Sequence, residues 1–185
     1  MYRLISILAL GMLLLTTLGC SEEANPIPLI TWKPLQICTV DVPDDPWLKR
    51  TVKHLPHVWS YDKKPLVALV DENCEAIVRF TTDPAPLIGH DYIPATAVSG
   101  NPPVVTIYRD GWVGSIAGAA PIVLQHEVGH LLCLTHSTND NGDSVMRKSI
   151  VNELGVPQPG IVTANNKAEA SHLRSLRCVG PRAEP

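Results

Sequence analysis

Short segments rich in apolar and β-branched residues predict the strands of the domain. Residues 35–40 alternate hydrophobic and polar side chains, which is the period of a half-buried strand. Residues 66–70 and 76–80 predict a pair of strands joined by a turn, since the polar sequence Asp-Glu-Asn follows the first of them. Residues 104–108 are apolar or β-favouring throughout and predict a further strand. Residues 83–103 are rich in Pro and Gly and predict a long surface excursion.

A helix is predicted after the first strand. Asp44 or Asp45 can cap its amino end, and Pro46 suits the first helical position because the nitrogen there needs no intrahelical partner. An apolar face for burial is formed by residues that recur at steps of four, three and four: Leu48, Val52, Leu55 and Trp59.

Two further helices are predicted in the second half of the chain. Pro121 opens the first of these, which carries the candidate chemistry, and Thr163 can cap the second, which should run to about Arg177. The residues of this last helix expected to face the core are Ala168, Leu173 and Leu176. The order strand, helix, several strands, helix, irregular loop, helix predicts one α+β domain over residues 34–180.

Composition and charge restrict the function further. The chain has 185 residues, of which 45% are hydrophobic, so one globular domain with a substantial core is expected. A formal net charge of −3 offers neither a basic patch nor an acidic tail. We therefore expect no nucleic-acid partner.

The amino end has the pattern of an export signal. A mostly apolar run over residues 4–18 is too short for a membrane span of roughly 20 residues and is typical of a secretory signal. Thr17-Leu18-Gly19-Cys20 resembles the lipobox of bacterial lipoproteins, although a Leu is usual where Thr17 stands. This resemblance implies a lipoprotein signal peptide over residues 1–19 and a lipid on Cys20 that anchors the protein to the membrane. An ordinary signal peptide, cleaved nearby to give a secreted protein, is the alternative.

Residues 20–33 are polar and Pro-containing without periodicity, and they predict a tether between the lipid and the domain. Once Cys20 is set aside, an even number of cysteines remains for an oxidising compartment: Cys38, Cys74, Cys133 and Cys178. Four cysteines allow three pairings. Cys38 with Cys74, and Cys133 with Cys178, is the favoured one, but the sequence leaves the choice open.

The most informative stretch begins at His126-Glu127-Val128-Gly129-His130. Two residues four apart on a helix stand on the same face, so His126 and His130 can bind one zinc ion from the same side. Glu127 is offset around the helix, too far round to be a ligand. It is well placed to act as the general base that takes a proton from the attacking water and passes it to the leaving amine.

His136 is the candidate third ligand, and it requires the helix to end early. In a continued helix it would lie about 240° around the axis from His130, by 3.6 residues per turn. The helix must therefore end near Cys133 so that the chain can bring His136 back to the ion.

With this third histidine the sequence resembles the metzincins, and among them the matrixin-like peptidases. Their signature is His-Glu-x-x-His-x-x-Gly-x-x-His followed by a Met-turn beneath the metal, which Ser144-Val145-Met146 resembles here. The resemblance implies a zinc endopeptidase with a twisted, mostly parallel sheet above the catalytic helix, and a closing C-terminal helix. It also implies a protein or peptide substrate that pairs with an edge strand, for which residues 104–108 are the candidate. The motif covers residues 126–146, and the element order extends it more loosely over 35–178.

The chain departs from the family pattern at two positions. Cys133 stands where a glycine normally adopts a left-handed backbone, at a cost on the order of 1–2 kcal/mol that a disulfide could offset. Cys133 as a metal ligand is a weaker alternative, because it would lie about 10 Å from His126 along the helix axis. Lys148 stands where some metzincins carry a tyrosine that assists the transition state, so that assistance is unassigned.

Other interpretations of the site, the function and individual residues have less support in the sequence. Glu153 could complete a thermolysin-like site in place of His136. A catalytically silent surface lipoprotein that binds a protein partner is the alternative function, although all four site residues are intact. Solvated turn residues are the preferred interpretation of Asp140 and Asp143, and surface or structural roles are preferred for the other histidines: His54, His57, His90 and His172.

Overall fold

The computed structural model describes residues 33–88, 91–92, 95–109, 119–136, 144–147 and 160–181. The predicted signal peptide, Cys20 and the tether up to residue 32 lie outside these ranges. In the part of the chain that is described, no helix is long and apolar enough to cross a membrane. The helices with both ends described are α1 (Pro46–Val58), α2 (Ala119–Leu131) and α3 (Ala164–Ser175). The strands are β1 (Leu35–Val40), β2 (Ser60–Tyr61), β3 (Lys64–Pro65), β4 (Val67–Leu69), β5 (Ala76–Phe80), β6 (Leu87–Ile88), β7 (Asp91–Tyr92), β8 (Ala95–Val98) and β9 (Val104–Ile107).

Five strands form one sheet in the order β4-β1-β5-β9-β8, and β2–β3 and β6–β7 form two small antiparallel pairs. In the large sheet β1 is parallel to β4 and β5, β5 is parallel to β9, and β8 is antiparallel to β9. Alternation along the strands places Ile37, Val78 and Ile107 in the core. The fold is therefore mixed α/β with a mostly parallel sheet, which is compatible with the predicted α+β class.

β4 and β5 are strands as predicted, but they are not the adjacent pair that the intervening turn residues suggested. β1 lies between them, with Ile37 beside Leu69 on one side and beside Ala76 on the other. Residues 70–75 therefore pass across β1. These few residues are enough to join two parallel strands, because β4 ends beside Ile37 of β1 and β5 begins beside the same residue. The pairing depends on contacts with a distant strand, which local sequence does not encode.

The surface excursion predicted for residues 83–103 contains β8, which the sequence pattern did not reveal. β8 pairs with β9 over four residues and forms one edge of the sheet. The expectation that residues 104–108 form the substrate-binding edge is therefore wrong, because β9 lies between β5 and β8. β8 escaped notice because only Ala95 is buried in it and Val98 is exposed, so the apolar alternation is weak.

α1 confirms its predicted start and its predicted face. Asp45 is the N-cap, where its Oδ1 accepts a hydrogen bond from the Leu48 nitrogen at 2.7 Å, and Pro46 follows in the first turn. The four apolar positions at helical spacing are all buried: Leu48, Val52, Leu55 and Trp59. α1 packs on β4 and α2 packs on β8 and β9, and the two helices contact each other. The histidine-bearing stretch of α2 is thereby held in contact with both the sheet and α1.

α3 begins where it was predicted, but its buried face differs. Thr163 caps it in a capping box, with Asn166 Oδ1 accepting from the Thr163 nitrogen at 3.0 Å. Leu173 is buried as expected, whereas Ala168 and Leu176 are exposed. The buried face is instead shared by apolar and hydrogen-bonded polar residues: Asn166, Ala170, Leu173 and Arg174. A search for hydrophobic periodicity misses such a face because half of it is polar.

Both favoured disulfides are confirmed. Cys38–Cys74 joins β1 to the connection that crosses it, with Cα atoms 5.4 Å apart. Cys133–Cys178 joins the residues just after α2 to those just after α3, with Cα atoms 6.1 Å apart. Each bond ties together segments that are distant in sequence, which restricts the unfolded chain.

The corrected face of α3 makes a matched pair of substitutions informative. Leu173 is 8% exposed and Leu176 is 63% exposed. We expect Leu173→Ala to lower the free energy of unfolding by about 2–5 kcal/mol through lost burial and a cavity. Leu176→Ala should change it by no more than about 0.5 kcal/mol. Urea denaturation followed by circular dichroism measures both, and equal losses would show that the assigned face is wrong.

Candidate metal centre

The carboxyl end of α2 is a tight turn that redirects the chain. The Leu134 nitrogen donates to Gly129 O at 3.0 Å, and the Cys133 nitrogen donates to His130 O at 2.9 Å. This double pattern is a Schellman motif, in which the residue after the cap is left-handed and usually glycine. Cys133 occupies that position with a φ of 68°. The predicted end of the helix near Cys133, and its left-handed backbone, are therefore both confirmed.

The turn brings His136 to the two helical histidines. His126 Nε2 lies 3.1 Å from His130 Nε2 and 3.2 Å from His136 Nε2. One ring nitrogen from each of the three residues lies within 4.8 Å of the other two. His126 is buried, and His130 and His136 are partly buried. The three predicted ligands are thus close enough to bind one metal ion.

Backbone carbonyls determine which ring nitrogens face one another. His126 Nδ1 donates to Val145 O at 2.7 Å and His130 Nδ1 donates to Leu134 O at 2.9 Å, since a carbonyl oxygen can only accept. In the neutral rings each Nε2 therefore carries a lone pair and no proton. Lone pairs that face each other at about 3 Å repel unless a cation lies between them. A metal-bound histidine also usually donates the N–H of its other ring nitrogen to an acceptor such as a backbone carbonyl.

The spacing also fits a small divalent ion. Imidazole nitrogens about 2.0–2.1 Å from a tetrahedral zinc lie about 3.3 Å from one another. The distances from His126 Nε2 to the Nε2 atoms of His130 and His136, 3.1 and 3.2 Å, are close to this value. Three imidazole nitrogens suit zinc, copper, iron and nickel better than calcium or magnesium, which prefer oxygen. The residues present can therefore hold such an ion.

Residues 144–147 form a turn beneath the helix, where the Met-turn was expected. The Met146 nitrogen donates to Ser144 Oγ at 3.1 Å, and Val145 O is the acceptor for His126. Met146 is buried against Gly129, so closely that a Cβ atom at Gly129 would collide with the Met146 sulfur and lie 3.4 Å from Trp59 Cη2. The absence of a side chain at Gly129 therefore lets the turn approach α2 closely.

The same turn is attached to α3. Ser144 Oγ donates to Asn166 Oδ1 at 3.1 Å, and the Val145 nitrogen donates to Ile161 O at 2.8 Å. Asn166 Oδ1 is also the acceptor in the capping box with Thr163. The start of α3 thus positions Val145 O, and through it the ring of His126.

Glu127 is 8% exposed and follows His126 directly on α2. Removal of its carboxyl from water raises its pKa to about 7. A carboxyl whose pKa lies near neutrality has the property required of a general base. A cation bound by the histidines would lower this pKa by favouring the carboxylate.

The structure corrects one alternative for the metal site and leaves others untouched. Cys133 is in a disulfide with Cys178 and so is not available as a thiolate ligand. Glu153 lies outside the described residues, as do four other positions singled out in the sequence: His90, Asp140, Asp143 and Lys148. The exposed histidines among the described residues are His54, His57 and His172.

The groups that orient the rings of His126 and His130 were not predictable from residue type. Leu134 O and Val145 O are backbone atoms, and backbone acceptors leave no trace in residue type. Only Asn166 could have been found from the sequence, because Thr163 and Asn166 have the spacing of a capping box. Nothing in that spacing pointed to Ser144, which Asn166 also contacts.

Comparison with known proteins adds no assignment: no protein-family model matches the chain, and no curated protein matches it. The interpretation of the site therefore depends on its own residues.

The close approach of Met146 to Gly129 predicts an inverted effect of a helix substitution. Replacing Gly by Ala within a helix normally stabilises by up to about 1 kcal/mol. Here we expect Gly129→Ala to lower the free energy of unfolding by about 1–3 kcal/mol, because the methyl group meets Met146. In a Met146→Ala background the same substitution should stabilise. Urea denaturation of the four proteins of this double-mutant cycle gives the coupling, and its absence would refute the contact.

Proposed function

We propose that this protein is an exported zinc-dependent endopeptidase, with zinc bound by His126, His130 and His136 and Glu127 as the general base. The observation that carries the proposal is the convergence of the three Nε2 atoms, two of them on rings whose Nδ1 protons are donated to carbonyls. Glu127, next to the first ligand and largely buried, supplies the base that hydrolysis requires.

Zinc is the proposed metal because three histidines with a position left for water or substrate is a common arrangement of catalytic zinc. When bound, it would polarise the scissile carbonyl and make water acidic enough to attack it near neutral pH. The role of Glu127 is to take the proton of that water and deliver it to the leaving amine. Its position on the helix, one residue after His126, keeps it beside the ligands without making it one of them.

A peptide substrate is proposed because the sheet presents an edge beside the catalytic helix. β8 forms that edge and contacts α2. An extended peptide could add to β8 by main-chain hydrogen bonds, which would hold its scissile bond near the histidines. β8 thus takes the role that the sequence had suggested for residues 104–108.

The metzincin assignment is part of the proposal. The resemblance implied a mostly parallel sheet, a catalytic helix, a Met-turn and a C-terminal helix. Ser144–Arg147 lies in a turn against Gly129, and α3 follows, both of which support the assignment. The two disulfides support export, because disulfides are expected in an oxidising compartment. We propose a lipid anchor on Cys20 in the cell envelope.

Zinc content and peptide cleavage test the proposal on the purified protein. We expect one zinc per chain in the wild type and in Glu127→Gln, with cleavage of a peptide library slower by about 10²–10⁴-fold in the variant. His136→Ala should lose both zinc and cleavage. Glu169→Gln, at an exposed position on α3, is the matched control and should behave as the wild type.

The outcomes separate the two functions considered for this chain. Zinc binding without cleavage of any library peptide would contradict the endopeptidase and favour the silent lipoprotein that binds a protein partner. Cleavage that Glu127→Gln leaves unchanged would contradict the role of Glu127.

A further inference from the structure

We propose that the Cys133–Cys178 disulfide positions two of the three metal ligands, so that metal affinity depends on this bond. The proposal rests on the metal binding included in the proposed function, and it is independent of whether the site cleaves peptides. Cys133 and Cys178 are positioning residues, because their sulfur atoms are bonded to each other and are not offered as metal ligands.

The first observation is the backbone of Cys133. Its φ of 68° lies in the left-handed region, and the residue is fully buried at the position of a Schellman motif that glycine usually occupies. A residue with a Cβ atom resists this conformation. Something other than intrinsic preference must therefore hold the turn.

The second observation is what the turn carries. The residue after Cys133 is Leu134, whose carbonyl oxygen accepts from His130 Nδ1 at 2.9 Å. Two residues later His136 supplies the third ring. A change in the backbone at Cys133 would move an acceptor of the second ligand and the third ligand together.

The third observation is that the other end of the disulfide is firmly held. The Cys178 nitrogen donates to Leu173 O at 3.1 Å, and Arg174 Nη1 donates to Cys178 O at 2.9 Å. The Gly180 nitrogen donates to Leu131 O at 3.0 Å, which attaches the same segment to the last residue of α2. The bond therefore links the left-handed turn at Cys133 to a segment just after α3 that these hydrogen bonds hold in place.

The disulfide in this chain thus does by covalent constraint what a glycine does by conformational freedom. When the disulfide is removed, a residue with a Cβ atom at position 133 should weaken metal binding. Glycine at the same position should restore it. Cys38–Cys74 lies on β1 and its crossing connection, so it provides a matched control for the general effect of losing a disulfide.

The experiment compares the wild type with three double variants: Cys133→Ala/Cys178→Ala, Cys133→Gly/Cys178→Ala and Cys38→Ala/Cys74→Ala. Cobalt(II) titration followed by its visible absorption, and zinc competition against it, give affinities without any assay of activity. We expect the first variant to bind about 10- to 100-fold more weakly, as for the loss of groups that orient metal ligands. The glycine variant should recover at least half of that loss on a logarithmic scale, and the control should bind within about threefold of wild type.

A measurement on the wild type covers the case in which the alanine variant does not fold. Treatment of the zinc-loaded protein with a phosphine supplies two electrons to each disulfide, giving two thiols and the phosphine oxide, whose oxygen comes from water. Mass spectrometry reports which bond is reduced, and a chromophoric chelator reports released zinc. We expect zinc release to follow reduction of Cys133–Cys178 and not of Cys38–Cys74.

Unchanged affinity in the alanine variant, an equal loss in the control, failure of glycine to rescue, or zinc retained after Cys133–Cys178 is reduced would each overturn the proposal. A wild type that binds neither cobalt nor zinc would instead overturn the proposed function.

Discussion

Two hydrogen bonds from histidine rings to backbone carbonyls determine which nitrogens of His126 and His130 face each other in this site. They use the Nδ1 protons of His126 and His130 and leave the Nε2 lone pairs of both rings directed at one point, where His136 adds a third. The acceptors, Val145 O and Leu134 O, belong to two different turns. The position of the candidate metal site therefore depends on the backbone of those turns as much as on the helix that bears the two rings.

The rest of the fold can be understood as support for the two turns. Residues 144–147 approach α2 because Gly129 has no side chain, and Asn166 at the start of α3 attaches to Ser144. The turn at Cys133 is held by the bond to Cys178 after α3. α1 contributes through the fully buried Trp59, which also lies close to Gly129. α3 is thus connected to both turns, although it carries none of the predicted ligands.

Local features were predictable from the sequence, and non-local pairings were not. The four-residue step placed His126 and His130 on one face of α2, and 3.6 residues per turn required α2 to end near Cys133 if His136 was to join them. The sequence did not reveal the edge position of β8 or the crossing between β4 and β5, because strand order depends on contacts between distant segments. On α3, Leu176 was assigned to the core from its hydrophobicity, but hydrogen-bonded Asn166 and Arg174 share the buried face instead.

The coordination sphere itself tests the central claim most directly. X-ray absorption at the zinc edge of the metal-loaded protein reports the ligand atoms, their distances and the number of imidazole rings. The account predicts nitrogen and oxygen neighbours at about 2.0–2.1 Å, with outer scattering from three imidazoles and no sulfur. A sulfur neighbour near about 2.3 Å, or fewer than three imidazoles, would contradict the assignment of His126, His130 and His136 as the ligands.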